Sequence, residues 1–221
     1  MAERALCRQA PKVGAVCPNR ARTDLRGGRG AIFVPTAIGR TTPIPRKSKP
    51  MPRYVAFLRG VSPMNAKMPA LKKSFETEGF SDVRTLLSSG NVVFNARSSS
   101  PATLERRAEK AMQSELGHSF VTIVRSAEYL QDLVQSEPFA KFDLPSTAKP
   151  VITFLRRPAE SKLGLPIEQD GASILAFTGS EVLAAYVPSP KGPVFMSLLE
   201  RTFGTDITTR TLGTVRKCAW A

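Results

Sequence analysis

A single histidine, His118, serves the entire 221-residue chain, and only three cysteines accompany it. This scarcity excludes a good deal of chemistry. Zinc centres draw on clustered cysteines and histidines, but Cys7, Cys17 and Cys218 are scattered and form no CxxC pair. They cannot build a disulfide framework, so a reducing compartment, the cytoplasm, is the expected location. No Cys, Asp or Ser stands near His118 at a catalytic spacing, so a solvated turn histidine is expected there. Nucleophilic triads and metal sites are not expected, no catalytic residue is assigned, and no cofactor is implied. No run approaches the ~20 apolar residues of a membrane helix, so no membrane partner is expected. Phosphate-loop and dinucleotide patterns are missing too, because Gly27-Gly28-Arg29-Gly30 lacks the strand and helix that such loops require.

Acidic residues are scarce, but chiefly at one end. The formal charge is +14. Residues 1–50 hold eleven Lys and Arg against Glu3 and Asp24, a balance of +9, whereas residues 51–221 hold twenty-one against sixteen, a balance of +5. The first segment also carries Pro11, Pro18, Pro35, Pro43, Pro45 and Pro50 and no periodic apolar pattern beyond Ala31-Ile32-Phe33-Val34. Such a segment cannot bury enough apolar surface to offset its ordering entropy, so it reads as a disordered basic leader, dispensable to the fold. It lacks the apolar core of a secretory signal, and its prolines oppose the amphipathic helix of a transit peptide.

The remainder, 51–221, reads as a single α+β body. Strand one is Arg53–Leu58, and helix one runs from about Pro69 to Glu78 with Leu71 and Phe75 on one face. Strands at Val83–Leu87 and Asn91–Asn95 flank a tight turn at Ser89-Gly90. Ser100-Pro101 opens a helix that runs to Leu116 and closes at Gly117. Its inner stripe is Leu104, Ala108, Ala111 and Met112, and Glu105, Arg106, Glu109 and Lys110 are expected on its outer face. A strand at Phe120–Val124 completes a β-α-β-β-α-β order, the ferredoxin-like arrangement. After a helix at Ala127–Gln135 the order restarts. The second round has a strand at Val151–Leu155, a polar helix around Ala159–Leu163 and a hairpin of Ser173–Phe177 with Val182–Val187. A helix from about Pro193 to Phe203, a short strand at Ile207 and a helical segment at Thr211–Trp220 complete it. The expected fold is thus a duplication of ferredoxin-like units, about 51–136 and 146–221, with a C-terminal helix.

Three stretches carry a resemblance. An aliphatic strand runs into Leu58-Arg59-Gly60. Gly79-Phe80 precedes a strand and then Ser89-Gly90-Asn91-Val92-Val93-Phe94. Thr208-Thr209-Arg210 is followed by Thr214-Val215 and Lys217. Together these resemble the bacterial domain of unknown function family 1697 over about residues 53–217, which implies a fold but no established activity. The chain departs from the family's usual pattern at Val61-Ser62-Pro63-Met64-Asn65, at Gly192-Pro193 and at Thr211-Leu212-Gly213. Met51-Pro52-Arg53-Tyr54 is similar to a family N-terminus. The leader therefore has two readings: a flexible basic tail, or upstream sequence translated from a misplaced start.

The loop Arg59–Lys67 leaves a buried strand and enters a helix, so its amides can face an anion near the helix N-terminus. Arg59 would supply a bidentate fork and Lys67 a second charge, while Asn65 would cap the helix or touch the ligand. The opposing reading pairs Arg59 with a local carboxylate. Ser88-Ser89-Gly90-Asn91 fits turn chemistry. Thr208-Thr209-Arg210 is expected to open the last helix, where Arg210, Arg216 and Lys217 would form a basic face that closes over an anion or pairs with acids of the body. The ligand-binding set is accordingly Arg59, Asn65, Lys67, Arg210 and Lys217, and the partner is a small anionic ligand. Two alternatives stand beside this binding module. An RNA-binding module would need stacking aromatics beyond Tyr54 and Phe57, so nucleic acid is not the expected partner. A phosphate-ester or acyl-phosphate hydrolase rests on fold analogy alone. The residues assign no oligomeric state.

Overall fold

Tyr54, Val55, Ala56, Phe57 and Leu58 are all buried, and a strand apolar at every position needs cover on both faces. The computed structural model describes residues 51–159, 164–188 and 194–221. The expected basic leader lies outside the described residues, as do residues 160–163 of the expected polar helix and Pro193 at the expected start of a later one. The described residues belong to one compact unit, Ser48–Ala221. Among them, five helices and two antiparallel sheets make a mixed α+β fold.

The first sheet contains β1 (Arg53–Leu58), β2 (Ser81–Leu86), β3 (Asn91–Asn95) and β4 (Thr122–Ser126), in the order β2-β3-β1-β4. Helices α1 (Met68–Thr77) and α2 (Pro101–Leu116) follow β1 and β3. They cover the face that carries Tyr54, Ala56 and Leu58, through Leu71, Phe75, Leu104 and Met112. Local chemistry sets α2: Ser100 accepts a hydrogen bond from the Thr103 amide, Pro101 occupies the first turn, and Gly117 ends the helix at φ +76°. Ser126 caps α3 (Ala127–Gln135) in the same way, accepting from the Tyr129 amide.

The second sheet contains β5 (Lys149–Leu155), β6 (Ile167–Gln169), β7 (Ala172–Phe177), β8 (Glu181–Tyr186) and β9 (Ile207–Thr211), in the order β6-β7-β8-β5-β9. Helix α4 (Val194–Phe203) packs on the face that carries Val151 and Leu155, through Leu198 and Leu199. The opposite face turns to the first sheet. Val55 and Phe57 of β1 meet Ile152 and Phe154 of β5, with Leu130 and Val134 of α3 and Val215 and Cys218 of α5 (Leu212–Ala219) in the same cluster. Phe57 and Phe154 stack with centroids 4.7 Å apart. Both faces of β1 are thereby covered, one by helices and one by the second sheet.

Three expectations need correction, and one strand is additional to them. Thr208-Thr209-Arg210 does not open the last helix; it lies in β9, paired with Phe154, Thr153 and Ile152 of β5. The helix is capped one residue later, where Thr211 accepts from the Thr214 amide. Threonine suits a strand as well as a cap, being β-branched. Glu105 is not on the outer face of α2 but only 3% exposed. β6 was not foreseen, because three residues reading Ile-Glu-Gln carry no periodic signal. β2 and β4 are shifted against the expected strands, beginning at Ser81 and Thr122.

Candidate functional site

Gly60, at φ +77°, turns the chain out of β1 in a conformation that a side chain would strain. The loop after it closes upon itself. Asn65 Nδ2 donates to the Gly60 carbonyl at 2.7 Å, and its Oδ1 accepts from the Ser62 amide at 2.8 Å. The Asn65 and Ala66 amides both donate to the Ser62 carbonyl. Lys67 then sits exposed at the N-cap of α1, which has neither a side-chain cap nor an acid in its first turn.

Arg59 turns away from this loop. Its Nη1 donates to the carbonyls of Thr205 (2.8 Å) and Ile207 (3.0 Å), and its Nη2 pairs with Glu200 of α4. Arg59 thus ties the end of a central strand of one sheet to α4 and to the start of β9 of the other. Arg210 does the converse. Its Nε donates to Asn91 Oδ1 at 2.6 Å, Nη1 to Thr208 Oγ1 and the Thr209 carbonyl, and Nη2 to the carbonyls of Leu58 (2.7 Å) and Ser89 (3.0 Å). All five donors are engaged, and none of their partners is a carboxylate. Burial without a counter-anion pulls the Arg210 pKa down to about 10, opposed by the nearby Cys218 sulfur. It therefore remains a cation at neutral pH.

Asn91 is fully buried and joins these pieces. Its Nδ2 donates to the Leu86 carbonyl and to Ser89 Oγ, both at 3.0 Å, while its Oδ1 receives Arg210. Gly90, at φ +73°, packs so closely that a Cβ there would lie 2.8 Å from the Val61 side chain. Leu58-Arg59-Gly60, Ser89-Gly90-Asn91 and Thr208-Thr209-Arg210 therefore meet at the C-terminal end of β1. The structure brings Arg59, Asn65, Lys67 and Arg210 to that end. Lys217 sits on the exposed face of α5, with no hydrogen bond or ion pair to the loop or the turn.

Other polar groups were not singled out from the sequence. β4 is an edge strand, and its outward amides are met by glutamates of α2: Thr122 N donates to Glu109 and Val124 N to Glu105, both at 3.0 Å. Arg156 bridges the pair, 2.8 Å from Glu109 and 3.7 Å from Glu105. Burial raises the Glu105 pKa despite these partners. Glu181, 1% exposed, accepts from Arg125 Nε (3.0 Å), Tyr129 hydroxyl (2.5 Å) and Thr178 (3.2 Å). Burial first, then this carboxylate, push the Tyr129 pKa upward. The phenol is thus held as a donor and is not activated as a nucleophile. Glu105 and Glu109, four apart, could have been found as a helical pair, but nothing local says that a strand edge lies under them.

Among the described residues no group of three or more His, Cys, Asp or Glu could hold a metal ion. His118 is exposed, its Nδ1 3.1 Å from the Leu116 carbonyl. Tyr54 and Phe57 are 6% and 0% exposed, so neither ring is open to stacking. Cys218 is buried, and desolvation raises its pKa to about 11. The thiolate is the reactive form. With Cys7 and Cys17 replaced by serine, Cys218 should therefore resist a disulfide-exchange reagent at pH 8 until denaturant is added. Full reaction within seconds in the native state would contradict this placement.

The model of the family described as "Protein of unknown function (DUF1697)" matches residues 51–182, and the chain belongs to that family. The match contains the Leu58-Arg59-Gly60 and Ser89-Gly90-Asn91 stretches; Thr208-Thr209-Arg210 lies beyond it. Among solved structures, the conserved bacterial protein SP0830 from Streptococcus pneumoniae is similar at a TM-score of 0.55 and 18% identity. That likeness covers 77% of this chain and 98% of the other. At this identity it supports the fold alone. No curated protein matches the chain significantly. Among the described residues, no helix is long and apolar enough to cross a membrane.

Proposed function

We propose that this member of the DUF1697 family is a small cytoplasmic binding module that takes an anionic ligand, a phosphate or a carboxylate, on the loop between β1 and α1. The observation that carries the reading is the start of α1, where Lys67 stands at an N-cap without a capping side chain and no acid occupies the first turn. The first amides of a helix lack intrahelical partners, and the helix dipole favours an anion beside them. Lys67 adds a mobile cation at the same place. Asn65 keeps the loop closed, which lowers the ordering cost of binding. Arg59 and Arg210 support the site by fixing the end of β1, and Lys217 contributes only to the general positive field.

The same reading takes the architecture as two ferredoxin-like units. In support, β2-β3-β1-β4 and β7-β8-β5-β9 occupy matching places in the two sheets, and β6 is an added edge. α2 and α4 follow corresponding strands, as do α3 and α5. The RNA-binding and hydrolase alternatives gain no support from the buried Tyr54 and Phe57 or from an Arg59 already paired with Glu200.

Titration of the full chain with inorganic phosphate, followed by amide resonances, tests the proposal. The Met68 and Ala70 amides should shift saturably, and Lys67→Ala should weaken binding by ~1 kcal/mol, roughly fivefold. Arg59→Lys should lower the melting temperature and leave the affinity unchanged, because lysine cannot span Glu200 and two carbonyls. Absence of saturable shifts at the start of α1, or indifference to Lys67→Ala, would refute the site.

A further inference from the structure

A concavity lies on the second sheet. A cleft of about 500 Å³ separates the connector after α3 from the face of β6, β7 and β8. Its depth follows from the residues. In antiparallel strands directly paired residues share a face, and here Glu168, Ser173 and Ala185 form one such row. Two of the three are small, and Gly171 beside them has no side chain, so the row leaves a hollow. Phe142 and Leu144 of the connector form one wall. Leu175 forms the other, at the register shift between Ile174 and Ala176. Turn bonds from Phe142 N to the Phe139 carbonyl and from Ala148 N to the Pro145 carbonyl hold the connector in place. The volume is in the usual range for small-molecule pockets.

The polar groups at this cleft run against the charge of the rest. Residues 51–221 carry +5 overall, yet Asp143 and Glu168 line the cleft without an ion-pair partner among the described residues. The one cation lining it, Lys141, has its Nζ 5.2 Å from the centroid of the Phe142 ring. Lys149, though next to the lining residue Ala148, lies in the Tyr186 row on the opposite face of the sheet. The mouth is therefore net negative and the interior apolar.

We infer that this cleft binds an organic cation with an apolar body, of the arylalkylammonium class. The ammonium would sit between Asp143 and Glu168, and the apolar body would lie along Phe142, Leu144 and Leu175 over the hollow at Ser173 and Ala185. A carboxylate of the same shape would meet two like charges. This site is independent of the anion site on the β1–α1 loop.

The test uses the full isotopically labelled chain and three probes at equal ionic strength: 2-phenylethylammonium, 3-phenylpropanoate and methylammonium. Only the first has both features and should shift the Ser173, Leu175 and Ala185 amides saturably, with an affinity in the ~1 mM range expected of a small fragment. The double variant Asp143→Asn, Glu168→Gln changes two exposed side chains. It should keep the wild-type melting temperature and weaken binding about tenfold. Ser173→Phe, which fills the hollow, should abolish binding. Equal binding of the propanoate, an unaltered affinity in the acid double variant, or no saturable shift of the cleft amides would each overturn the inference.

Discussion

Arg210→Met is expected to lower the stability of the body by ~3–5 kcal/mol, the scale seen when one member of a buried polar network is removed. Methionine fills a comparable volume, so the loss arises from hydrogen bonding more than from packing. The carbonyls of Leu58, Ser89 and Thr209, together with Asn91 Oδ1 and Thr208 Oγ1, would lose their donor at once. Each buried acceptor left alone costs ~1–3 kcal/mol. The sum overstates the effect for two reasons. Water reaches the Ser89 side of the cluster, and the variant no longer buries a cation without a counter-anion. Urea unfolding of both proteins gives the difference, and Asn91→Ala alone and combined with Arg210→Met measures how much of it is shared. Because Arg210 and Asn91 act on each other, the two losses should be strongly non-additive. A change below ~1 kcal/mol for Arg210→Met would mean that solvent already satisfies these acceptors.

Much of the first half was legible because its signals are local. Ser100-Pro101 and Gly117 delimit α2 at the residues where the structure places its ends, while continuous apolar runs mark β1 and β3 and helical apolar spacing marks α1 and α3. The second half has weaker punctuation. β6 is shorter than any period, and Thr208-Thr209 is compatible with both a strand and a cap, so only pairing with β5 decides it. Glu105 was misplaced because its charged neighbours Arg106 and Lys110 suggest an outer face, whereas its own environment is the edge of β4. Around the candidate site, the strand–glycine–helix order identified the loop and the exposed Lys67. The fate of Arg59 was not legible, because Glu200 lies 141 residues away along the chain. A sequence shows that a guanidinium leaves the strand end; only the packing of the second half shows what receives it.

Expressed separately, residues 51–136 and 146–221 are expected to be insoluble or molten. The shared cluster draws Val55, Phe57, Val93 and Ile123 from the first sheet and Ile152, Phe154 and Leu183 from the second. Separation would open the stacked pair Phe57–Phe154 and bare two apolar sheet faces, an exposure far larger than a monomer's usual surface patch. Polar losses add to this. Glu181, 1% exposed in the intact body, would lose both Arg125 and Tyr129 and stand hydrated at the bared face, so its ordered hydrogen bonds would no longer hold the end of β8. Arg59 and Arg210 would likewise lose the carbonyl acceptors of the opposite half to which they donate. Circular dichroism and amide dispersion of each half report the state directly. Mixing the two under refolding conditions should restore dispersion if the pairing is specific. Two halves that each unfold cooperatively and show native-like spectra on their own would refute the single-body arrangement, and would mean that β1 finds cover for its second face without β5.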